Sequence, residues 1–236
     1  MEELQPTERT RLKRLPQRGS FDRETVYRII DTALFCHVGF VHNDAPFVVP
    51  TLHVRIGARL YVHGSAASRT LRTAAGGVPL CVTVTHVDGL VLARSAFHHS
   101  INYRSAVILG VAQEVTDPDA KLRVLHALVE HVVPGRWQDA RPPHPKELAA
   151  TSVLGLPITE ASAKIRPGGP GDDAEDYALP IWAGVIPLKM VTGAPVADER
   201  LMGGVKVPEY VANYLLPDAR RDPQWQRGWN EPSVTT

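Results

Sequence analysis

Little in this 236-residue chain announces a function. Its two cysteines, Cys36 and Cys81, are too few and too far apart for a disulfide framework or a CxxC metal site. Both lie in apolar, strand-like runs, so buried free thiols and a reducing, cytoplasmic compartment are expected. An excess of one charge is missing too. The chain has 26 basic and 25 acidic residues, so it lacks the positive field that nucleic acid or an anionic membrane selects. No apolar run reaches the roughly 18 residues of a membrane helix. Residues 1–19 have no apolar signal-peptide centre. GxxxxGK[ST], GxGxxG and HExxH are absent, which removes Walker, Rossmann and zincin sites. Neither a Ser–His–Asp order nor paired carboxylates argues for hydrolysis. There are ten histidines, among them His37, His53, His63, His86, His98 and His99, but no metal-ligand spacing; most read as polar groups lining strands and loops.

An apolar content of 44% supports a real core, and the length suits one large domain. Residues 1–19 are polar and basic and read as a loose arm, ordered against a partner subunit. Ser20 or Asp22 can cap a helix over residues 23–33, whose Val26, Ile29, Ile30 and Ala33 make one stripe. Strand patterns follow at 34–41, 47–56 and 60–62, separated by turns. Pro50 cannot donate to a ladder, so its strand is expected at an edge or bulged. Further strands are expected at 80–86, 90–96 (after a turn at 87–89) and 105–115. Asp117-Pro118 starts a helix with a stripe of Leu122, Leu125, Val129 and Val132. A short helix at 145–150, a strand at 153–165, a Gly/Pro/acid loop at 167–180 and a last strand near 181–188 complete the pattern. The tail past about 195 is proline-rich and carries Trp225 and Trp229. Short strands joined by short turns read as a mainly β fold with flanking helices, an antiparallel barrel or closed sheet. The organisation is an arm (1–19), a barrel domain (20–190) and a C-terminal extension (191–236).

The most informative stretch is LYVHGSAASRTLRTAAGG, residues 60–77. It reads as a strand, a small-residue elbow and a helix. Gly64, Ser65, Ala66 and Ala67 leave little bulk, so a ligand can approach the backbone. Ser68 can cap a helix over residues 69–75, which Gly76-Gly77 stop. A helix start, two hydroxyls, Arg69 and Arg72 together suit a terminal phosphate. A plain capped helix with two surface arginines fits the same residues.

At NYRS, residues 102–105, the chain resembles the pyridoxamine-5'-phosphate-oxidase-like flavoproteins, in the branch that includes the nitroimidazole-resistance proteins. The matching pieces, in order, are FCHVGF (35–40), PFVVPTLH (46–53), LYVHGSAASR (60–69), LVLARSAFHHSINYRS (90–105), PGRW (134–137) and IWAGVIPL (181–188). The resemblance implies an FMN-binding split β-barrel of antiparallel Greek-key type, and a homodimer with two flavin sites at the subunit interface. It implies that the strand over residues 49–53, with Pro50, Thr51, Leu52 and His53, lies along the flavin ring, largely through backbone. It gives His63, Gly64, Ser65, Ser68 and Arg69 to the ribityl phosphate. It places Tyr103, Arg104 and Ser105 in the cofactor or interface region, reaching from the second subunit, and Arg94 belongs to the same pattern. Pyridoxamine phosphate oxidases proper end in a Trp followed by an Arg-Leu-x-Pro type motif. Here the tail reads WQRGWNEPSVTT (225–236), which points away from vitamin B6 chemistry and leaves FMN binding untouched. The expected activity is FMN-dependent oxidation or reduction of a small organic substrate, with NADH or NADPH as a possible donor and no catalytic residue assigned. The alternatives are a flavin-binding protein without turnover, and a barrel holding deazaflavin or haem in the same cleft.

Overall fold

A computed structural model of the chain describes residues 3–221. The expectations for Trp225, Trp229 and the end of the tail lie outside the described residues. A short strand β1 (Gly19–Ser20) precedes helix α1 (Arg23–Asp31). Asp22 is the cap of α1, accepting from the Thr25 amide at 3.0 Å, and Val26, Ile29 and Ile30 bury its apolar stripe. Strands β2 (Phe35–His42) and β3 (Ala45–Ile56) form a hairpin. Asn43 and Asp44 turn it with φ of 51° and 59°, the left-handed pair that a two-residue hairpin loop needs.

β3 then changes partner. Its first part, residues 45–52, pairs with β2, and residues 53–56 pair with β4 (Arg59–Ser65). One strand thus turns the corner between two halves of the sheet. After β4 come α2 (Arg69–Ala75), β5 (Pro79–Leu92), β6 (Ser100–Val111) and β7 (Gln113–Glu114). Helices α3 (Pro118–Val132), α4 (Arg136–Asp139) and α5 (Pro145–Ala149) lead to β8 (Thr151–Pro157), β9 (Glu160–Arg166) and β10 (Gly184–Pro187). Two short helices, α6 (Glu209–Ala212) and α7 (Pro217–Arg221), follow. The strands form one antiparallel sheet ordered β1-β9-β6-β5-β2-β3-β4-β8-β7, with β10 added beside β5. No hydrogen-bonded ladder among the described residues joins its ends, so the barrel is split. α1 covers the main core, and α3 lays Val124 and Leu128 on Val54 and Val153.

Several expectations change. The turn expected at 87–89 is a bulge at Asp88 inside the single long strand β5. Asp88 is bound there by Arg104 at 2.8 Å, and its carbonyl accepts from the Leu188 amide at 3.0 Å, so a residue that reads as a turn former stays in the ladder. The strand expected at 153–165 is the β8–β9 hairpin. Its turn lacks glycine or asparagine and is anchored instead by the buried Ile158, whose N–H donates to the Ala58 carbonyl at 2.9 Å. The N-terminal segment packs on its own chain: Leu4 is buried, and Thr7 and Arg9 both donate to Glu160 on β9. Cys36 is buried as expected, which pushes its thiol up to about 12, but Cys81 is exposed on the outward face of β5.

Candidate functional site

A cleft of about 100 Å³ opens where β3, β4 and the start of α2 meet. Val49, Pro50 and Thr51 form one wall, His63 and Gly64 the second, and Ser68 and Thr70 the rim. Val38, Val62, Leu71, Ala74, Leu80 and Leu154 make an apolar floor. The wall exists because β3 is a lateral edge over residues 45–52, with β2 on one side only. Pro50 fits that edge without a bulge, since the register passes unshifted through the His37–Pro50 pair.

The elbow is fixed by its own hydrogen bonds. The Ser65 carbonyl accepts from Ser68 N–H at 2.8 Å, Ala66 N–H donates to the Ala150 carbonyl at 2.8 Å, and Ser65 Oγ accepts from Ala67 N–H at 3.2 Å. α2 runs over residues 69–75 and stops at Gly77, whose φ of 85° favours glycine. Ser68 occupies the cap position, yet its side chain makes no capping bond. Its hydroxyl therefore remains available to the cleft it lines. The open flank of Gly64 is not vacant for a ligand: a Cβ there would stand 2.9 Å from Leu71 Cδ1. This glycine admits Leu71 to the floor. Arg69 is exposed, and its guanidinium lies over the Phe47 ring at 4.4 Å, a cation–π contact that restrains the side chain.

His63 is half-buried, and its Nδ1 is buried without a hydrogen-bond partner. Burial pushes its pKa below the usual 6.5, so the ring is neutral at neutral pH. An unpartnered polar atom beside an apolar floor is a place for a ligand's donor or acceptor. The neighbouring candidate His53 faces the opposite side. It is fully buried, donates from Nε2 to the Ile30 carbonyl at 2.9 Å, and lies 5.8 Å from the His131 ring. Leu52 points outward and is exposed. Strand alternation puts Pro50 and Leu52 on the outward face and Thr51 and His53 on the inward one, and of the four only Pro50 and Thr51 border the cleft.

The remaining candidates lie elsewhere. Arg94 pairs with Asp172 at 3.1 Å and covers the Tyr177 ring at 4.9 Å. Arg104 is buried beneath α1, held by Asp88 at 2.8 Å and by Asp218 of α7 at 3.0 Å. Tyr103 and Ser105 share the outward face with Pro50, as the pairs Pro50–His37, His37–Thr83 and Thr85–Ser105 require. They stand three strands from β3, so one chain does not bring them to its own cleft. Thr70 and the floor residues also line the cleft although sequence reasoning did not select them; Thr70 had a signal, as the next hydroxyl on the first turn of α2.

The open antiparallel barrel, with a lateral cleft of apolar floor and hydroxyl rim, defines a split-barrel protein. The chain belongs to the pyridoxamine 5'-phosphate oxidase-like family, a flavin-binding family: the model described as pyridoxamine 5'-phosphate oxidase matches residues 22–165. It is 43% identical to the flavocytochrome Anf3 from Azotobacter vinelandii, over 89% of this chain and 98% of that one, with a TM-score of 0.85. It is 39% identical to the FAD and haem binding protein from Mycobacterium smegmatis, over 82% of this chain and 95% of that one, with a TM-score of 0.79. A candidate 5-nitroimidazole antibiotic resistance protein from Bacteroides thetaiotaomicron shares the fold at 20% identity, over 62% of this chain and 86% of that one, with a TM-score of 0.52. No curated protein matches the chain.

Proposed function

We propose that the chain is a flavin-dependent oxidoreductase. It holds riboflavin 5'-phosphate (FMN) in the cleft, acts on a small organic substrate, and works as a homodimer in the cytoplasm. The observation that carries this reading is the cleft itself. It sets an apolar floor beneath a strand edge open on one side, with the Ser68 and Thr70 hydroxyls at the rim and His63, whose Nδ1 is unpartnered, in the other wall. A flat apolar ring with a polar, anionic tail matches that division.

When bound, a flavin supplies hydride or two-electron chemistry. The protein's part is to place and tune it. The unpaired side of β3 offers the backbone groups that do not bond β2 to the ring edge, and Pro50 contributes a carbonyl there but no N–H. Ser68 and Thr70 donate hydroxyl hydrogens to the phosphate, and Arg69 adds a charge already positioned by Phe47. The neutral His63 donates to, or accepts from, a polar atom of the ligand at Nδ1. The floor of Val62, Leu71 and Leu154 excludes water from one ring face. Tyr103 and Ser105, outward on the sheet and remote from their own cleft, would serve the cleft of a second copy. No helix of the described residues is long and apolar enough to cross a membrane.

A second reading, FAD together with haem, is favoured by the two relatives near 40% identity, one a flavocytochrome and the other binding FAD and haem. FAD carries the same riboflavin 5'-phosphate half and makes the same demand on the elbow. His99 would hold the haem iron: the Ser95 carbonyl can only accept, so Nδ1 donates to it at 3.1 Å and leaves Nε2 of this exposed ring for a metal.

Mass identification of the extracted cofactor, with the visible spectrum of the purified protein, separates these readings. Flavin bands with FMN support the first, and FAD with a Soret band supports the second. A deazaflavin, or no cofactor after expression with abundant riboflavin, contradicts both. Reduction by NADH or NADPH and reoxidation by an added acceptor distinguishes an oxidoreductase from a protein that only stores or senses flavin.

A further inference from the structure

Residues 188–207 have no regular structure, and among the described residues their hydrogen bonds to the rest of the chain are those of Leu188 to Asp88 and of Thr192 to the Tyr214 carbonyl. The segment leaves the sheet where Leu188 N–H donates to Asp88 at 3.0 Å. It returns where Tyr210 donates to Asp139 and Tyr214 to the Val132 carbonyl, each at 2.7 Å. Between these anchors the chain is exposed throughout, yet its side chains are not those of a solvated loop. Met190 is 70% exposed, Val191 80%, Val196 94% and Met202 78%. A second unpartnered apolar surface lies on the outward face of β2 and β3, where Val48 is 68% and Val41 55% exposed, with Phe35 and Leu52 beside them. That surface is flat at its centre: a Cβ on Gly39 would stand 3.3 Å from the Cys81 carbonyl oxygen.

We propose that residues 188–207 form an arm that crosses to a second copy of this chain and packs on the outward face of the partner's β2–β3 hairpin. The proposal rests on the homodimer reading above and adds which parts of the two chains meet. Both halves of the contact are present in one sequence, so a two-fold axis satisfies them together, arm on face and face under arm. The reach is sufficient. About 20 residues leaving and returning at ~3.3 Å each extend roughly 30 Å from the anchors. A domain of about 190 residues has a radius of gyration near 16 Å. Met190 and Met202 suit such a contact, because an unbranched thioether fills an irregular surface where a branched side chain leaves gaps.

The test uses the full chain, as purified, by size-exclusion chromatography with light scattering at micromolar concentration. The wild type is expected to be a dimer. The arm variant Met190→Asp/Met202→Asp and the face variant Val48→Asp are each expected to weaken dimerisation at least a hundredfold and run as monomers, with unchanged circular dichroism. Val41→Asp replaces Val48→Asp if the latter fails to fold. Mixing the two monomeric variants under different tags should then restore a heterodimer, because the intact arm of the face variant meets the intact face of the arm variant. If either variant stays dimeric, or if the mixture stays monomeric, the crossing arm is overturned while the homodimer reading stands. A monomeric wild type overturns both.

Discussion

His53 and His63 sit on adjacent paired strands, and burial assigns them different tasks. His53 is sealed in the core, and its pKa falls to about 4 from the usual 6.5 because burial penalises the charged ring. The unfolded chain therefore binds a proton that the folded chain refuses between these values. Stability contributed by the neutral ring is complete above about pH 6.5 and is lost as the pH falls toward about 4, some 3 kcal/mol in all. His86, also pushed down by burial, adds to the same slope. Urea unfolding at about pH 7 and about pH 4.5 should show this loss, and His53→Gln should flatten the slope while lowering stability at neutral pH. Arg69 is the converse, an exposed charge with a proposed ligand. Arg69→Ala should leave thermal unfolding unchanged and weaken flavin retention by about 1.5–3 kcal/mol, roughly tenfold to over a hundredfold, read by flavin fluorescence titration. Matching motifs brought attention to a contiguous run, Pro50 to His53. A motif does not record where a strand changes partner, and Leu52 and His53, at the point where β3 passes from β2 to β4, lie outside the cleft. Arg104 reads as a spare cation in the sequence because its two carboxylates, Asp88 and Asp218, lie 16 and 114 residues away.

At the scale of elements, legibility followed the locality of the signal. α2 starts and stops where Ser68 and Gly76-Gly77 place it, and α1 and α3 begin at the aspartates that cap them. These depend on residues within one turn of each other. The bulge in β5 and the β8–β9 turn were not legible, because distant residues decide them: Arg104 retains Asp88 in the ladder, and Ile158 is buried beside Ala58. Gly64 was legible as a position for a small residue but not for the reason it is small. Because Leu71 fills the space beside it, Gly64→Ala should displace that side chain and tilt α2 off the floor. A loss of about 1–2 kcal/mol is expected, a melting shift of roughly 2–8 °C by calorimetry, together with weaker flavin binding. Gly64→Ala/Leu71→Ala should fall short of the summed loss of the two single variants, since the shortened side chain removes the clash.

For the whole molecule, the sequence indicated an antiparallel barrel, and the chain supplies a split one whose third strand belongs to both halves. That division matters more than the strand count, because it leaves β3 unpaired over the residues that wall the cleft. Apolar side chains also stand outward on β2 and β3, the face proposed above to meet a second copy. The elbow at Ser68, Arg69 and Thr70 is proposed to grip a phosphate at the end of a flavin. Titration of cofactor-free protein with riboflavin, FMN and FAD, followed by flavin fluorescence and the visible band, tests it most directly. The account predicts that FMN and FAD bind while riboflavin, identical in its ring but lacking phosphate, binds at least about tenfold more weakly. Equal binding of riboflavin and FMN, or binding of none of the three, would contradict it.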